Sequence, residues 1–132
     1  MAQLEGRARE LVEEPNFCYV ATLREDGTPH VTITWIDVDG DELLLNSAEG
    51  RVWPANLRRG SRATLTIADR DNQYEYATIE GRLVSDTHEG ADESADRLAK
   101  KYLDEDTYPF RQKGEQRVLF RLAPERVHVY GG

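Results

Sequence analysis

The residues best equipped for chemistry lie between Leu43 and Arg62, in the stretch LLLNSAEGRVWPANLRRGSR. Arg51, Arg58, Arg59 and Arg62 fall inside it, and no acid interrupts from Gly50 to Ala68, although the chain as a whole carries a formal net charge of −8. The apolar run Leu43-Leu44-Leu45 reads as the end of a strand. Asn46 and Ser47 follow, with side-chain oxygens suited to capping a helix N-terminus. A short helical pattern then runs through Arg58 and Arg59 to Gly60. A helix start leaves N–H groups unpaired at the positive end of the helix dipole. Strand, cap and helix would together make a cradle for a phosphate or a carboxylate. Arg51, nearest the helix start, is the best anion ligand. Arg58 and Arg59 sit at the helix end, where the dipole alone favours cations. The window also reads as an ordinary solvated basic face, and on these residues alone the two readings stand level.

The rest of the chain offers little self-sufficient chemistry. It has no GxSxG, HExxH, CxxC, Walker or GxGxxG motif, and no pair of acids stands out as a general acid and base. His30, His88 and His128 fall in separate elements without ligand spacing, so no metal site is expected. His30 follows a turn and could face a ligand; a lone histidine there is more often an edge residue. Tyr74 and Tyr76 are two apart and project from one face of a strand. They would wall an aromatic ligand or simply pack across strands, the commoner role. Trp53 could anchor the core, sit at an interface or line a pocket. Cys18, the single cysteine, lies in the apolar strand pattern FCYVATL and reads as a buried, inert thiol. With this inventory no catalytic residue is assigned, and an enzyme would take its difficult chemistry from an organic cofactor.

The elements that must position these groups can be read in order. The 132 residues fit one domain spanning 1–132. No apolar run reaches membrane-spanning length and no secretory leader is evident, so a cytoplasmic protein is expected. The acidic balance argues against a nucleic-acid partner. A helix over 4–14 precedes a strand from Phe17 to Leu23, an Asp26-Gly27 hairpin turn, and a strand from His30 to about Asp37. Asp39-Gly40 turns into Glu42–Leu45. After the cradle helix come strands over Ala63–Ala68 and Tyr74–Val84, a helix over 89–103, and an irregular loop over 104–114. A sixth strand over Arg117–Leu122 is extended by Val127–Tyr130. Six antiparallel strands with helical connections predict a mainly β fold, a small closed or nearly closed barrel. Such a barrel fills its own interior, so a large planar ligand would bind outside it, at a subunit interface.

The run YVATLREDGTPHVTITWIDVDGDELLLNSAEGRVWPANLRRGSRATLTIADRDN resembles the flavin/deazaflavin split β-barrel superfamily, the pyridoxamine 5′-phosphate oxidase-like fold. Within it, the chain is most similar to actinobacterial F420-dependent oxidoreductases of the B type. YEYATIEGRLV, RLAKKYLDEDTYPFR and RVLFRLAPERVHVYG agree, so the resemblance spans nearly the whole chain. It implies a six-stranded antiparallel, FMN-binding-like split barrel and a homodimer with two cofactor sites at its interface. It also implies coenzyme F420, whose reduced form passes a hydride to a small organic acceptor. By position, Ser47 and Arg51 would hold the phosphate end, Asn56 would brace that loop, and Thr32 would lie beside the ring system. Tyr74 matches an aromatic that in relatives packs on the cofactor from the neighbouring subunit, with Tyr76 close by. Many relatives carry a phosphate-contacting lysine where this chain has Trp53, followed by Pro54; the indole would cover part of the groove. The alternatives on this scaffold are an FMN-dependent oxidase or reductase, and a non-catalytic protein that binds a tetrapyrrole, a fatty acid or the cofactor.

Overall fold

The first reversal of the chain is set by two residues. Asp26 Oδ1 accepts hydrogen bonds from the Thr28 N–H and hydroxyl, and Gly27 takes φ +86°, a value that favours glycine. In this computed structural model, which describes residues 2–131, that turn joins β1 (Cys18–Leu23) to β2 (Pro29–Thr34). They follow α1 (Gly6–Glu13). Next come β3 (Asp37–Asp39), β4 (Glu42–Ala48), α2 (Val52–Gly60), β5 (Arg62–Asp69), β6 (Asn72–Thr87), α3 (Ala91–Leu103) and β7 (Arg117–Tyr130). Among the described residues, no helix is long and apolar enough to cross a membrane.

Among the described residues the sheet has seven strands rather than six, in the order β2-β1-β5-β6-β7-β4-β3, with every pairing antiparallel. The extra strand arises because the strand expected from His30 to Asp37 is broken at Trp35–Ile36. Side chains of α3 take over the backbone there. The Ile36 N–H donates to Tyr102 Oη (3.1 Å), and the Ile36 carbonyl accepts from Lys101 Nζ (2.7 Å). These bonds satisfy the groups that a continuous ladder would have used. The expected closure is also corrected: the ladder runs from β2 to β3 without joining its two ends. A further correction concerns Asn46 and Ser47. They do not cap α2 but lie within β4, opposite Leu119 and Val118 of β7. The N-cap of α2 is Arg51.

The two ends of the sheet nevertheless curl around one interior. Val20, Leu65, Ile67, Ile79, Phe120, Leu43 and Leu45 form a single buried cluster with Leu11 of α1 and Trp53 and Leu57 of α2. Each fully buried side chain of this kind contributes about 1.5–3 kcal/mol, so the cluster fixes the sheet's curvature. Cys18 is fully buried in it, and burial pushes its thiol well above the ordinary value, as the inert reading requires. β7 passes straight through Pro124, which has no N–H for the ladder. A register shift between Glu80 and Gly81 on β6 absorbs the irregularity.

Candidate active site

The seam between the two sheet ends holds the site. His30, Thr32 and Thr34 of β2 line one wall of a cleft, and Asn46 and Ser47 of β4 line another. Arg51, Val52 and Trp53, at the start of α2, close a third side. The cleft encloses about 270 Å³.

Three features make the cleft suited to an anion. First, α2 begins at Val52 with no side-chain cap and no acid in its first turn. Pro54 has no N–H, so the helix start offers the amides of Arg51, Val52 and Trp53. Second, the Arg51 side chain is half exposed, and its one ion pair among the described residues, to Glu115, is long at 3.5 Å. Third, Ser47 Oγ and His30 Nδ1 are buried without a hydrogen-bond partner. Of three such side-chain atoms among the described residues, these two line this cleft. Leaving a buried polar atom unpaired costs about 1–3 kcal/mol, so their convergence beside a weakly paired arginine fits a phosphate-bearing group. That is an acceptor-rich ligand able to take the Ser47 hydroxyl proton in a hydrogen bond.

The other arginines of the window are spent elsewhere. Arg58 donates to both oxygens of Glu49 (2.7 and 2.9 Å) and to Asp86. Hydrogen bonds from Arg58, then His88, bring the Glu49 carboxyl down to about 2. Arg59 donates to the Leu23 carbonyl and Asn56 Oδ1, and Arg62 pairs with Glu125.

The remaining expected site residues separate into groups. Thr32, Ser47, Arg51 and Trp53 meet in the cleft. Trp53 is also a core anchor: only 6% exposed, it packs on Phe120 with ring centroids 5.4 Å apart. Asn56 is buried behind the cleft, where its Nδ2 donates to Thr22 Oγ1 (3.3 Å). It fixes α2 against β1 and does not line the cleft. Tyr74 and Tyr76 are not brought to Arg51 within the chain. Tyr74 stands 83% exposed, and Tyr76 stacks across the ladder on Tyr130 at 4.5 Å.

A second cleft adjoins the first and shares Ile33, Thr34, Asn46 and Arg51 with it. Its other walls are aromatic: Phe17, Trp35, Tyr108 and Phe110. Sequence reasoning did not single out these residues. The signal available was the aromatic pair flanking Pro109, in a loop otherwise rich in charge. Arg117, also in the lining, is buried and donates through Nε (2.9 Å) and Nη2 (2.7 Å) to Asn46 Oδ1 and through Nη1 to Glu115 (3.0 Å). Asn46 in turn donates to the Ala91 carbonyl (2.8 Å). The polar floor between the two clefts is therefore satisfied and rigid.

Comparison with known proteins gives the same architecture. No curated protein matches the chain in sequence. The fold is similar to a solved F420 reductase, with a TM-score of 0.80 and 24% identity, over 91% of this chain and 94% of that one. A conserved hypothetical protein from Mycobacterium tuberculosis matches with a TM-score of 0.71 and 22% identity, over 99% and 90% of the two chains. The heme storage protein HutZ from Vibrio cholerae matches with a TM-score of 0.68 and 18% identity, over 98% of each. These likenesses are of fold. The match that extends to sequence pattern is to the pyridoxamine 5′-phosphate oxidase family, over residues 4–131, and the chain belongs to that family.

Proposed function

We propose that the protein is an F420-dependent oxidoreductase that works as a homodimer. The observation that carries this reading is the pair of unpartnered buried atoms, Ser47 Oγ and His30 Nδ1, beside the weakly paired Arg51. Arg51, Ser47 and the α2 amides would hold the phosphate of the cofactor, and Thr32 would lie beside its ring system. Trp53 would wall the groove, and Asn56 would keep α2 in place. Bound there, reduced deazaflavin supplies a hydride to a small organic acceptor. The protein's part is to fix the anionic end, exclude water with Trp53 and Ile33, and hold the cleft rigid through the Asn46–Arg117 network.

Two further observations support the reading. The outer face of β1 and β2 exposes Tyr19, Leu23, Val31 and Ile33 together, and Ile33 also lines the cleft. A contiguous apolar patch on a sheet is a mark of an interface. A second copy on this face would bury it and would bring a neighbour's Tyr74 and Tyr76 within range of a site that one chain leaves incomplete. The deazaflavin is favoured over FMN, which shares the phosphate chemistry, by the likeness to the F420 reductase. Fluorescence titrations of oxidised F420 and of FMN against the purified protein test the choice. Saturable binding of F420 with weaker binding of FMN is expected. Binding of FMN alone would transfer the reading to a flavin enzyme.

A further inference from the structure

The cleft that shares Arg51 with the anion cleft is otherwise walled largely by aromatic and aliphatic side chains. Tyr102 covers one face of the Trp35 indole, stacked at 5.2 Å and only 8° from parallel. Tyr108 meets the indole edge-on at 6.1 Å, and Phe110 lies tilted at 6.4 Å. Tyr102 does not line the cavity, whereas Trp35, Tyr108 and Phe110 do. The indole thus presents to the cavity the surface that Tyr102 leaves uncovered. Leu98 and Ala95 of α3 are both buried and form an aliphatic floor.

The loop that carries two of these rings is fastened. The Tyr108 N–H donates to Asp96 Oδ1 (2.8 Å), and Arg111 pairs with Asp96 (2.9 Å) and Asp92 (2.7 Å). The Arg117 guanidinium lies 4.7 Å from the Tyr108 ring centroid, within cation–π range. On the opposite wall, Trp35 is set by the Tyr102 and Lys101 bonds to the backbone of Ile36. Phe110 nevertheless remains 59% exposed, an apolar ring held in place with part of its surface free.

Charge and size narrow what would fit. Arg117 is consumed by Asn46 and Glu115. Glu115 is held between Arg117 and Arg51, and Arg51, which lines both clefts, is taken up by the cofactor's anionic end in the reading above. A charged guest would find no spare buried counter-ion. The cavity of about 190 Å³ is below the roughly 300–1,000 Å³ of pockets for drug-sized ligands, so it takes a ring system and not a whole large molecule. Aromatic walls in offset and edge-on arrangements favour a flat guest.

We propose that this cleft seats a planar, uncharged aromatic ring of the hydride acceptor, with Trp35 and Phe110 as specificity-determining side chains. Its role as the acceptor's seat rests on the oxidoreductase reading above; the binding itself does not. The chain has two tryptophans, so a nitrogen–proton correlation spectrum of the cofactor-free protein shows two indole signals, assigned with Trp35→Phe. Titration with 2-naphthol is expected to shift the Trp35 signal saturably. Phe110→Ala should weaken that binding roughly three- to ten-fold, and Arg59→Ala, at a residue that lines neither cleft, should leave it unchanged. Cyclohexylmethanol, saturated and non-planar, should bind more weakly than the naphthol. No saturable shift, an unaffected Phe110→Ala variant, or equal binding of the saturated alcohol would each overturn the proposal. If naphthol binds as expected while F420 and FMN both fail, the aromatic site stands and the cofactor reading falls. If a cofactor binds and naphthol does not, the reverse holds.

Discussion

Replacing Ser47 with alanine should make the ligand-free protein more stable and its ligand weaker. Ser47 is 1% exposed within β4, across from Val118, and its hydroxyl has no partner among the described residues. Folding strips water from that hydroxyl and returns nothing, at a cost of about 1–3 kcal/mol. Alanine removes one oxygen and keeps the Cβ, so the void is small and the strand's backbone bonds are untouched. The expected gain in unfolding free energy is about 1 kcal/mol, read from the urea midpoint at unchanged slope. Binding should move the other way. A hydroxyl donating to a phosphate contributes about 1.5–3 kcal/mol, so the dissociation constant should rise roughly 10- to 150-fold. Added cofactor should therefore raise the melting temperature less in the variant, even though the variant starts higher. If Ser47→Ala instead lost more than about 1 kcal/mol without ligand, the hydroxyl would be a structural bond and the reasoning would fail.

Other expectations come from neighbouring groups. Burial lowers the Lys101 ammonium from its ordinary 10.5 to about 8. Between those values the unfolded chain keeps a proton that the folded chain has released, so this group's contribution to stability rises with pH across that window and is level below it. Relative to Lys101→Met, the wild type should gain about 1.3 kcal/mol from pH 7 to pH 9 by urea unfolding; parallel pH profiles would refute the assignment. Comparing the two proteins largely cancels the opposing effects of Cys18 and Tyr102, whose protons burial holds on. Val31→Glu and Leu23→Glu, on the exposed outer face, should convert a dimer of twice 15.1 kDa to single chains in light scattering. A wild type already at the single-chain mass would remove the two-copy reading.

Much of the fold was legible because its causes were local. Asp26-Gly27 announced a turn by composition alone, and the structure gives Gly27 the positive φ expected of it. Of the arginines in the window, Arg51 was expected nearest the start of α2 and Arg58 and Arg59 near its end, and they stand in that order, although the cap is Arg51 itself and not Asn46 or Ser47. What escaped was decided by residues far away in sequence. Nothing in the alternation from His30 to Asp37 shows that Tyr102 and Lys101 will claim the backbone of Ile36. Asn46 has a good cap's side chain, but pairing with β7 and bonds to Arg117 and the Ala91 carbonyl hold it in a strand. The aromatic cleft was hidden for the same reason. Phe17, Trp35 and Phe110 come from three segments that only the tertiary fold brings together. The unpaired state of Ser47 Oγ could not be read at all, since a sequence does not show which partners a burial removes.

Arg51 and Arg59 lie in the same acid-free window, carry the same charge and differ only in where the fold puts them. Measuring the F420 dissociation constant for Arg51→Ala and Arg59→Ala at one salt concentration therefore separates a built anion cleft from a generally basic helix. Arg51→Ala should weaken binding by about 1.5–3 kcal/mol, roughly 10- to 150-fold, and Arg59→Ala should leave it nearly unchanged. Equal losses in both variants, or none in the first, would contradict the account.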